Sequence, residues 1–328
     1  MKNSVKRPII FITMGDPNGI GPEIVTKAVS NKKIQEISFP VVIGSYSVLK
    51  NLKNDWEMLS DFSILDILEP NINYLIDLNN IKKIKPGLID KQAGKASFEY
   101  IEKATELLLN NIGSGLVTSP VNKKAIIKAH LDFSDHTDYF AKKTKSNNIF
   151  TIFITGKLKI VFLTRHLPLK KALEEVKKEN IVNILNNISN LWKKLFSKTP
   201  KIGVAALNPH GSDHGLFGNE EKKEIIPAID RVKYQGLNVI GPIPADSIFY
   251  KGTKGEFDLI LSLYHDQGHI AAKTYNFHKT ITATLGLPFF RTSVDHGTAM
   301  DIAWKNQGNP TSLIEAIKLI VKLINGNW

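Results

Sequence analysis

Three histidines follow apolar segments of strand length, and their side chains could bind a metal ion. They are His166 in LTRHLP, His210 in NPHGSDHGLFG and His265 in YHDQGH. The apolar segments before them are KIVFLT at 159–164, KIGVAAL at 201–207 and DLILSLY at 258–264. In an open α/β sheet, ligands gather at the carboxyl ends of the strands. Three neutral imidazoles meeting there would leave a metal with open positions, as in a catalytic site. The pattern predicts a catalytic metal centre, and three unrelated loop histidines are the alternative.

The segment YHDQGHIAAKTYNF (264–277) contains a second histidine. His265 and His269 are four residues apart, a spacing that places two side chains on one face of a helix. The glycine between them and the strand before them favour a turn instead. We therefore expect His265 alone to bind the metal.

Arginine is rare in this chain, which makes its positions informative. The chain has four arginines, and Arg165 and Arg291 lie inside the strongest motifs. Where lysine is the ordinary cation, an arginine suggests planar, bidentate contact with a carboxylate or a phosphate. His136 and Thr137 in SDHTDYFA stand at a predicted helix start, where an anion binds favourably. A helix cap with a half-buried histidine is the alternative for this pair.

Two turns containing proline join a predicted strand to a predicted helix. GDPNGIGPEI (15–24) could present backbone N–H groups to an anion, although it lacks the spacing of the Rossmann and Walker loops. In LVTSPVNKKAI (116–126), Ser119 or Lys123 could touch a ligand. A plain tight turn and a simple helix cap explain the two segments equally well.

These groups require a sheet whose strands alternate with helices. Strand-length apolar segments fall at 9–14, 41–44, 116–118, 149–154, 159–164, 202–207, 238–240 and 258–264. Segments of helical periodicity include 97–111 and 312–324. The alternation predicts an α/β fold with a mostly parallel sheet. A short link between 149–154 and 159–164 predicts a hairpin, and with it a second lobe or an arm around the middle of the chain.

Composition limits the class of protein. The chain has 328 residues, no cysteine and a formal net charge of +12. Without cysteine there is no disulfide, thiolate metal site or cysteine nucleophile, which suits a reducing cytosol. The positive charge comes mostly from scattered lysines, so we expect no nucleic-acid partner. The apolar segment near the N-terminus is too short for a signal peptide, and none approaches the roughly 20 residues of a membrane span. A cytoplasmic protein with no membrane partner is therefore expected.

Longer motifs resemble known dehydrogenases. HGTAMDIA (296–303) resembles the adenine-side loop of the isocitrate and isopropylmalate dehydrogenases, which bind NAD(P) without a Rossmann fingerprint. Over most of its length the chain resembles the 4-hydroxythreonine-4-phosphate dehydrogenase family of vitamin B6 biosynthesis. The matching segments, in order from residue 12 to residue 303, are ITMGDPNGIGPEI, VTSPVNK, HTDYFA, LTRHLPL, NPHGSDHGLFGNEE, PADSIFY, YHDQGHIAAK and TLGLPFFRTSVDHGTAMDIA.

The resemblance implies an architecture and a set of residue roles. The fold would be isocitrate/isopropylmalate dehydrogenase-like α/β, with a mostly parallel sheet and a central cleft between two lobes. The middle segment of about 130–290 would form one lobe and the two ends the other. The metal ligands would be His166, His210 and His265. The substrate-binding residues would be His136, Thr137, Lys273, Thr282 and Arg291. The residues that bind NAD or NADP would be His296, Gly297 and Asp301.

The implied metal is zinc, with magnesium or cobalt as alternatives, and the implied assembly is a homodimer whose active site is shared between subunits. The reaction would be oxidation of 4-phosphohydroxy-L-threonine to 2-amino-3-oxo-4-(phosphooxy)butanoate. This product would lose CO2 to give 3-amino-2-oxopropyl phosphate. Bound metal would lower the pKa of the reacting hydroxyl. Lys273 and Asp246 are both candidates for the catalytic base, and the sequence does not distinguish them.

Two departures from the family pattern leave the choice of substrate open. Thr282 stands where asparagine is usual, and Asp135 stands where glycine is usual, so a carboxylate lies close to the expected phosphate pocket. The first alternative is a paralogous dehydrogenase of D-threonate or D-erythronate 4-phosphate. A phosphate acyltransferase-like enzyme and a lysine-rich binding protein are alternatives of other classes, and neither needs three histidines at strand ends.

Overall fold

The computed structural model describes residues 7–60, 68–133, 135–326 and 328. The chain forms two compact units, one from Met1–Ile149 with Ile281–Trp328 and the other from Phe150–Thr280. Residues 1–6, which precede the apolar N-terminal segment expected to be too short for a signal peptide, lie outside the described residues. None of the described helices is long and apolar enough to cross a membrane.

The strands and helices are numbered in chain order. The strands are β1 (Ile9–Thr13), β2 (Phe39–Gly44), β3 (Glu57–Met58), β4 (Tyr74–Asp77), β5 (Gly115–Thr118), β6 (Phe150–Thr155), β7 (Leu158–Phe162), β8 (Ile202–Ala205), β9 (Val239–Ile243), β10 (Leu259–Ser262), β11 (Ile281–Leu285) and β12 (Phe290–Val294). The helices are α1 (Gly21–Val29), α2 (Lys32–Ile37), α3 (Tyr46–Leu49), α4 (Lys91–Leu109), α5 (Lys123–Lys128), α6 (His136–Thr144), α7 (Leu169–Glu174), α8 (Lys178–Phe196), α9 (Ile226–Tyr234), α10 (Ala245–Lys254), α11 (His265–Asn276) and α12 (Thr311–Ile324).

The first unit is a sheet in the order β3-β4-β2-β1-β5-β12-β11. Its neighbouring strands are parallel except for the antiparallel pair β11 and β12. Ile10, Phe11 and Ile12 of β1 are fully buried, as expected for a strand covered on both faces. Helix α4 packs against β1 and β2, and α12 packs against β5 and β12.

The second unit is a sheet in the order β6-β7-β10-β8-β9. The predicted hairpin is confirmed, because β6 and β7 are antiparallel, whereas the other neighbours are parallel. Gly156 supplies the left-handed residue of its turn, at φ 60°. The core around this hairpin includes Phe153, Ile160 and Phe162, with Ile248 from α10. The predicted α/β fold with a mostly parallel sheet is therefore confirmed.

The apolar segments of the sequence do not predict the strands β3, β4, β11 and β12. Strand β11 (ITATL) alternates apolar with polar residues, which is typical of a strand with one solvated face, and β12 (FRTSV) has three polar residues in succession. Here, however, all of β11 and nearly all of β12 are buried. A buried polar face on a sheet needs a specific reason, and the side chains on it supply one.

Candidate functional site

A polar patch covers one face of the first unit's sheet across β5, β12 and β11. Thr282 lies opposite Ser293, Thr284 lies opposite Arg291, and Ser293 also lies beside Thr118 in β5. Directly opposite residues point to the same face of a sheet, so these five side chains share one surface. All five are buried. Because buried polar groups are costly unless they are hydrogen-bonded, this face is built for polar contacts rather than for a core.

Arg291 is held in this patch by hydroxyl groups instead of a carboxylate. Its Nε and Nη2 donate to Thr118 Oγ1 at 3.2 and 2.6 Å, and its Nη1 donates to Thr284 Oγ1 at 2.9 Å. The guanidinium carbon lies 5.4 Å from the centroid of the Phe140 ring. A guanidinium has five N–H donors, so two, one on each Nη, have no hydrogen-bond partner among the described residues. Burial lowers the pKa of Arg291 to about 9, against the opposing effect of Asp135, so the group is a cation at neutral pH.

His136 lies beside this arginine at the first position of α6. Its ring stacks on Phe140, with centroids 6.3 Å apart and planes 21° apart. Its Nε2 is buried and has no hydrogen-bond partner among the residues that the structure describes. Burial, followed by the nearby cations Arg291 and Lys123, holds the pKa of His136 well below 6.5. The imidazole is therefore neutral, and it offers a nitrogen next to a buried cation. Thr137 follows it in the first turn of the helix.

Asp135, the departure that brings a carboxylate close to the expected phosphate pocket, is a helix cap. Its Oδ1 accepts a hydrogen bond from the backbone N–H of Asp138 at 2.9 Å, so the carboxylate caps the N-terminus of α6. Thr282, the other departure, is held loosely. Its Oγ1 lies 3.5 Å from the carbonyl oxygen of Ser293, at the limit of a hydrogen bond.

The residues expected to bind the cofactor lie in the loop after β12. His296 Nδ1 is 3.0 Å from the carbonyl oxygen of Gly297, and Asp301 is exposed with its carbonyl accepting from Lys305 Nζ at 2.7 Å. This loop packs on the GDPNGIGPEI segment, because the Thr298 carbonyl accepts from the N–H of Ile20 at 3.0 Å. The two motifs, far apart in the chain, thus form one surface.

A glycine makes that close approach possible. A Cβ on Gly19 would lie 2.9 Å from Thr298, too close for any larger residue. Trp304 fastens the same loop, since its backbone N–H donates to Glu23 Oε2 and its indole N–H donates to the carbonyl of Pro17, each at 2.9 Å. The loop geometry depends on these contacts and not on a Rossmann-type turn.

In the second unit, two of the three predicted metal ligands lie side by side. The ring centroids of His166 and His265 are 5.6 Å apart, and both residues line a pocket of about 270 Å³ with Arg165. His265 Nδ1 lies 2.6 Å from Asp266 Oδ1. A carboxylate on one ring nitrogen fixes the tautomer and directs the other nitrogen towards a metal. The imidazole nitrogens of His166 and His265 are suitable ligands for a divalent cation.

The expected turn after His265 is wrong, because α11 begins at this residue. The rings of His265 and His269 therefore stack, with centroids 3.7 Å apart. Gly268 serves close packing, since a Cβ there would lie 2.6 Å from the Phe162 ring. His269 also packs on Phe153, with centroids 4.0 Å apart, and burial is the main cause that lowers its pKa to about 4. The spacing of four residues was the signal for this missed neighbour.

The structure does not bring His210 to the other two histidines. His210 is exposed in the turn Pro209–Gly215, and its ring lies 6.5 Å from that of Phe217. No group of three His, Asp or Glu side chains in the described part of the chain is arranged to hold a metal ion. The backbone explains the position of His210, because residues 210–214 all have positive φ between 43° and 68°. The metal site therefore stays a prediction.

The two candidate bases lie on different helices of this unit. Asp246 is exposed in the first turn of α10 and lines a groove of about 780 Å³ together with Tyr264 and Asp266, the neighbours of His265. Lys273 is on α11, two turns beyond His265, with its Nζ 5.5 Å from the centroid of the Phe277 ring. Asp246 thus shares a groove with residues flanking one predicted ligand.

Comparison with known proteins identifies the family. The family model described as "Pyridoxal phosphate biosynthetic protein PdxA" matches residues 36–320. The chain belongs to the PdxA family. The crystal structure of 4-hydroxythreonine-4-phosphate dehydrogenase from Klebsiella pneumoniae is similar to this member, with a TM-score of 0.87 and 32% identity over 98% of this chain and 99% of that one.

Other relatives of this PdxA-family chain carry different names. A protein of Halalkalibacterium halodurans named "Putative D-threonate 4-phosphate dehydrogenase" is 42% identical over 97% of each chain. A beta-decarboxylating dehydrogenase from Thermococcus kodakarensis matches with a TM-score of 0.51 and 12% identity, over 98% of this chain and 84% of that one. That likeness is one of fold, and it agrees with the architecture implied by the sequence.

Proposed function

We propose that this chain is a metal-dependent, NAD(P)-linked dehydrogenase of a four-carbon hydroxy acid phosphorylated at C4. The main support is the buried cation Arg291, which keeps two N–H donors beside the neutral imidazole of His136. A buried guanidinium with donors to spare suits a phosphate, which accepts charge-assisted hydrogen bonds from such a fork. Thr137, in the first turn of α6, would complete the phosphate site.

We propose D-threonate 4-phosphate as the first candidate substrate. The relative that is 42% identical carries that name, whereas the solved structure named for 4-hydroxythreonine 4-phosphate is 32% identical. The two acids differ at C2, where one has a hydroxyl and the other an amino group. Thr282, whose hydroxyl is loosely held, suits a hydroxyl partner as well as the usual asparagine suits an amine. Oxidation of 4-phosphohydroxy-L-threonine in vitamin B6 biosynthesis is the second candidate.

We propose that His166, His210 and His265 would hold the divalent cation, with zinc first and magnesium or cobalt next. Such an ion supplies Lewis-acid activation of the substrate hydroxyl. We assign Asp246 as the base that takes the hydroxyl proton, because it lines one groove with Tyr264 and Asp266, the residues that flank His265. Lys273 would instead contact the substrate carboxylate. The loop with His296, Gly297 and Asp301 would contact NAD or NADP.

The product of oxidation at C3 has its ketone β to the carboxylate, so it loses CO2 readily. From D-threonate 4-phosphate this gives dihydroxyacetone phosphate. From the amino acid it gives 3-amino-2-oxopropyl phosphate. The residues that bind the phosphate keep the substrate in place through both steps.

We also propose a homodimer with the groove of α10 and α11 at its interface. Around this groove Tyr250, Ile270 and Tyr275 are 63%, 64% and 54% exposed, although they are large apolar side chains. Such patches mark interaction surfaces. A second copy seated there would lie next to Asp246. Sedimentation velocity should show a dimer that Ile270→Asp dissociates. Ile127→Asp, at a 60% exposed position on α5, is the control and should leave the dimer intact.

The experiment that tests the function is NADH or NADPH formation by the zinc-loaded protein. Its substrates are D-threonate 4-phosphate, D-erythronate 4-phosphate and 4-phosphohydroxy-L-threonine in parallel. We expect turnover of D-threonate 4-phosphate that a chelator abolishes. Turnover of the amino acid alone would assign the chain to vitamin B6 biosynthesis, and turnover that survives chelation would reject the metal dependence.

A further inference from the structure

Side-chain hydrogen bonds join the ends of the strands that precede the predicted metal ligands. Thr164, two residues before His166, donates its hydroxyl to the carbonyl of Leu263 at 2.9 Å. Leu263 is two residues before His265. The backbone reinforces this tie, since the N–H of Leu163 donates to the Ser262 carbonyl at 2.8 Å. The ends of β7 and β10 are therefore fastened together next to the two histidines that lie side by side.

Gln267 makes the corresponding tie between β10 and β8. Its Oε1 accepts from the backbone N–H of Leu263 at 2.8 Å and from Ser262 Oγ at 3.0 Å. Its Nε2 donates to the carbonyl of Ala206 at 2.8 Å. A glutamine at the third position of a helix often bonds back to the start of its own helix. Here the amide also reaches the end of another strand, which a helix cap does not require.

Glu221 fixes the chain between Ala206 and His210. This fully buried carboxylate accepts from the backbone N–H groups of Leu207 and Asn208 at 2.9 and 2.8 Å, and from Asn208 Nδ2 at 2.8 Å. The segment that leaves β8 is thus held at three successive residues, by Gln267 at the first and by Glu221 at the next two. Two residues later the chain reaches His210.

We propose that Gln267 is a positioning residue that fastens the ends of β8 and β10 together, so that His265 and the turn that carries His210 extend from fixed points when a metal ion recruits His210. This inference rests on the proposed metal-dependent function. Gln267 has no role as a ligand, because both ends of its amide are engaged with Ser262, Leu263 and Ala206. Groups that orient metal ligands from outside the coordination sphere typically change metal affinity by about 10- to 100-fold when they are removed.

The test is cobalt binding to purified full-length protein, measured by titration calorimetry and by the visible absorption of bound Co²⁺. Gln267→Glu keeps an acceptor for Leu263 and Ser262 but replaces the donor to Ala206 with an oxygen. We expect at least a tenfold weaker Co²⁺ affinity and an altered absorption spectrum. Gln267→Met, which is neutral and of similar length, should show the same loss and guards against a folding defect of the acidic variant.

The matched control is Gln235→Glu, the same substitution at an exposed residue that follows α9 in the same unit. It should bind Co²⁺ like the wild type. Wild-type affinity and spectrum in both folded Gln267 variants would overturn the positioning role and leave the proposed function standing. A wild-type protein without saturable Co²⁺ binding, or with binding that His166→Ala leaves unchanged, would overturn the metal site and this inference with it.

Discussion

The proposed phosphate pocket of the first unit (Arg291, His136 and Thr137) and the histidine cluster of the second (His166, His265 and His210) differ in how completely the chain alone assembles them. Arg291 is 3% exposed and its guanidinium already has three hydrogen bonds to threonine hydroxyls. In the second unit His166 and His265 lie together, whereas His210 is exposed in a separate turn. The side chains around Arg291 are thus already in place without a ligand, whereas only two of the three histidines are together.

Charge accounts for this difference. A buried cation without hydrogen bonds is costly, so a sequence that buries Arg291 must also supply acceptors for it in the free protein. A neutral imidazole costs little when it is left in water. The histidines therefore need not be assembled before a metal binds. The buried arginine, in contrast, needs its hydrogen-bond acceptors in the free protein, before any phosphate binds. Each prediction below tests this contrast.

The largest effect is expected from Arg291→Met. Loss of the buried cation should raise KM for the phosphorylated substrate by about 100-fold, or about 3 kcal/mol, and change KM for NAD by less than about twofold. The melting temperature of the ligand-free protein should not fall, because the variant also removes a buried charge that lacks a carboxylate partner. Steady-state kinetics and thermal unfolding measure the two effects. Arg231→Met, at an exposed arginine paired with Glu179, is the control with unchanged kinetics. Equal increases in both KM values would contradict the role of Arg291.

The two units also differ in how many hydrogen bonds a buried carboxylate in each of them accepts. Glu221 in the second unit accepts three hydrogen bonds. Asp16 in the first accepts one, from the N–H of Asn18 at 2.9 Å, and its Oδ2 has no partner among the described residues. Burial raises the pKa of Asp16 from 3.8 to about 6. The folded chain then binds a proton at Asp16 more tightly than the unfolded chain does. Protonation of Asp16 therefore stabilises the fold fully below about pH 4, and this stabilisation is lost as the pH rises through about 6.

Asp16→Asn should therefore be more stable than the wild type above about pH 7 and similar to it near pH 4. The difference between the two pKa values of Asp16 corresponds to about 3 kcal/mol in the free energy of unfolding. The gain in stability should be smaller than this, because the buried amide of the variant also lacks hydrogen-bond partners. Urea unfolding between pH 4 and pH 8 measures the effect. A constant difference between the two proteins across this range would show that the carboxyl group does not titrate there.

Metal binding should reorganise the second unit without a counterpart in the first. The turn Pro209–Gly215 contains four non-glycine residues at positive φ, a conformation that costs about 1–2 kcal/mol per residue. Recruitment of His210 to a metal would restructure it. Saturating zinc should slow amide exchange across 207–215 by about tenfold or more and leave β11 and β12 within about twofold. His166→Ala should abolish the protection. Equal slowing of amide exchange in both units would contradict the idea that the histidine cluster is less organised than the proposed phosphate pocket before the metal binds.

Sequence reasoning succeeded where one physical rule dominates and failed where two compete. Apolar segments located most strands of both sheets, because burial on two faces leaves a simple pattern. It missed β11 and β12, whose polar residues are buried instead of exposed. The motifs identified Arg291 and His136, but not Thr118 or Thr284, since which hydroxyl meets a guanidinium depends on strand pairing across the chain. For the same reason Gln267 carried no signal beyond its place in YHDQGH.

The turn expected at Gly268 failed for a related reason. Glycine marks a turn or a close approach of two elements, and sequence alone does not distinguish the two uses. In α11 the close approach prevails, because the helix packs against Phe162 and Ile160 at this residue. The result places His265, His269 and Lys273 on one helical face.

The smallest effect concerns the hydroxyls that organise Arg291. Thr118→Val preserves side-chain volume but removes the acceptor for two guanidinium N–H groups, while Thr284 still holds the third. We expect KM for the phosphorylated substrate to rise about five- to tenfold, or about 1 kcal/mol, with kcat nearly unchanged. Thr118→Ser, which restores the hydroxyl, should recover the wild-type KM. If Thr118 has a purely structural role, Thr118→Val should be less stable and its KM should be unchanged. If Thr118 preorganises the proposed phosphate pocket, KM should rise in the folded Thr118→Val variant and return to the wild-type value in Thr118→Ser.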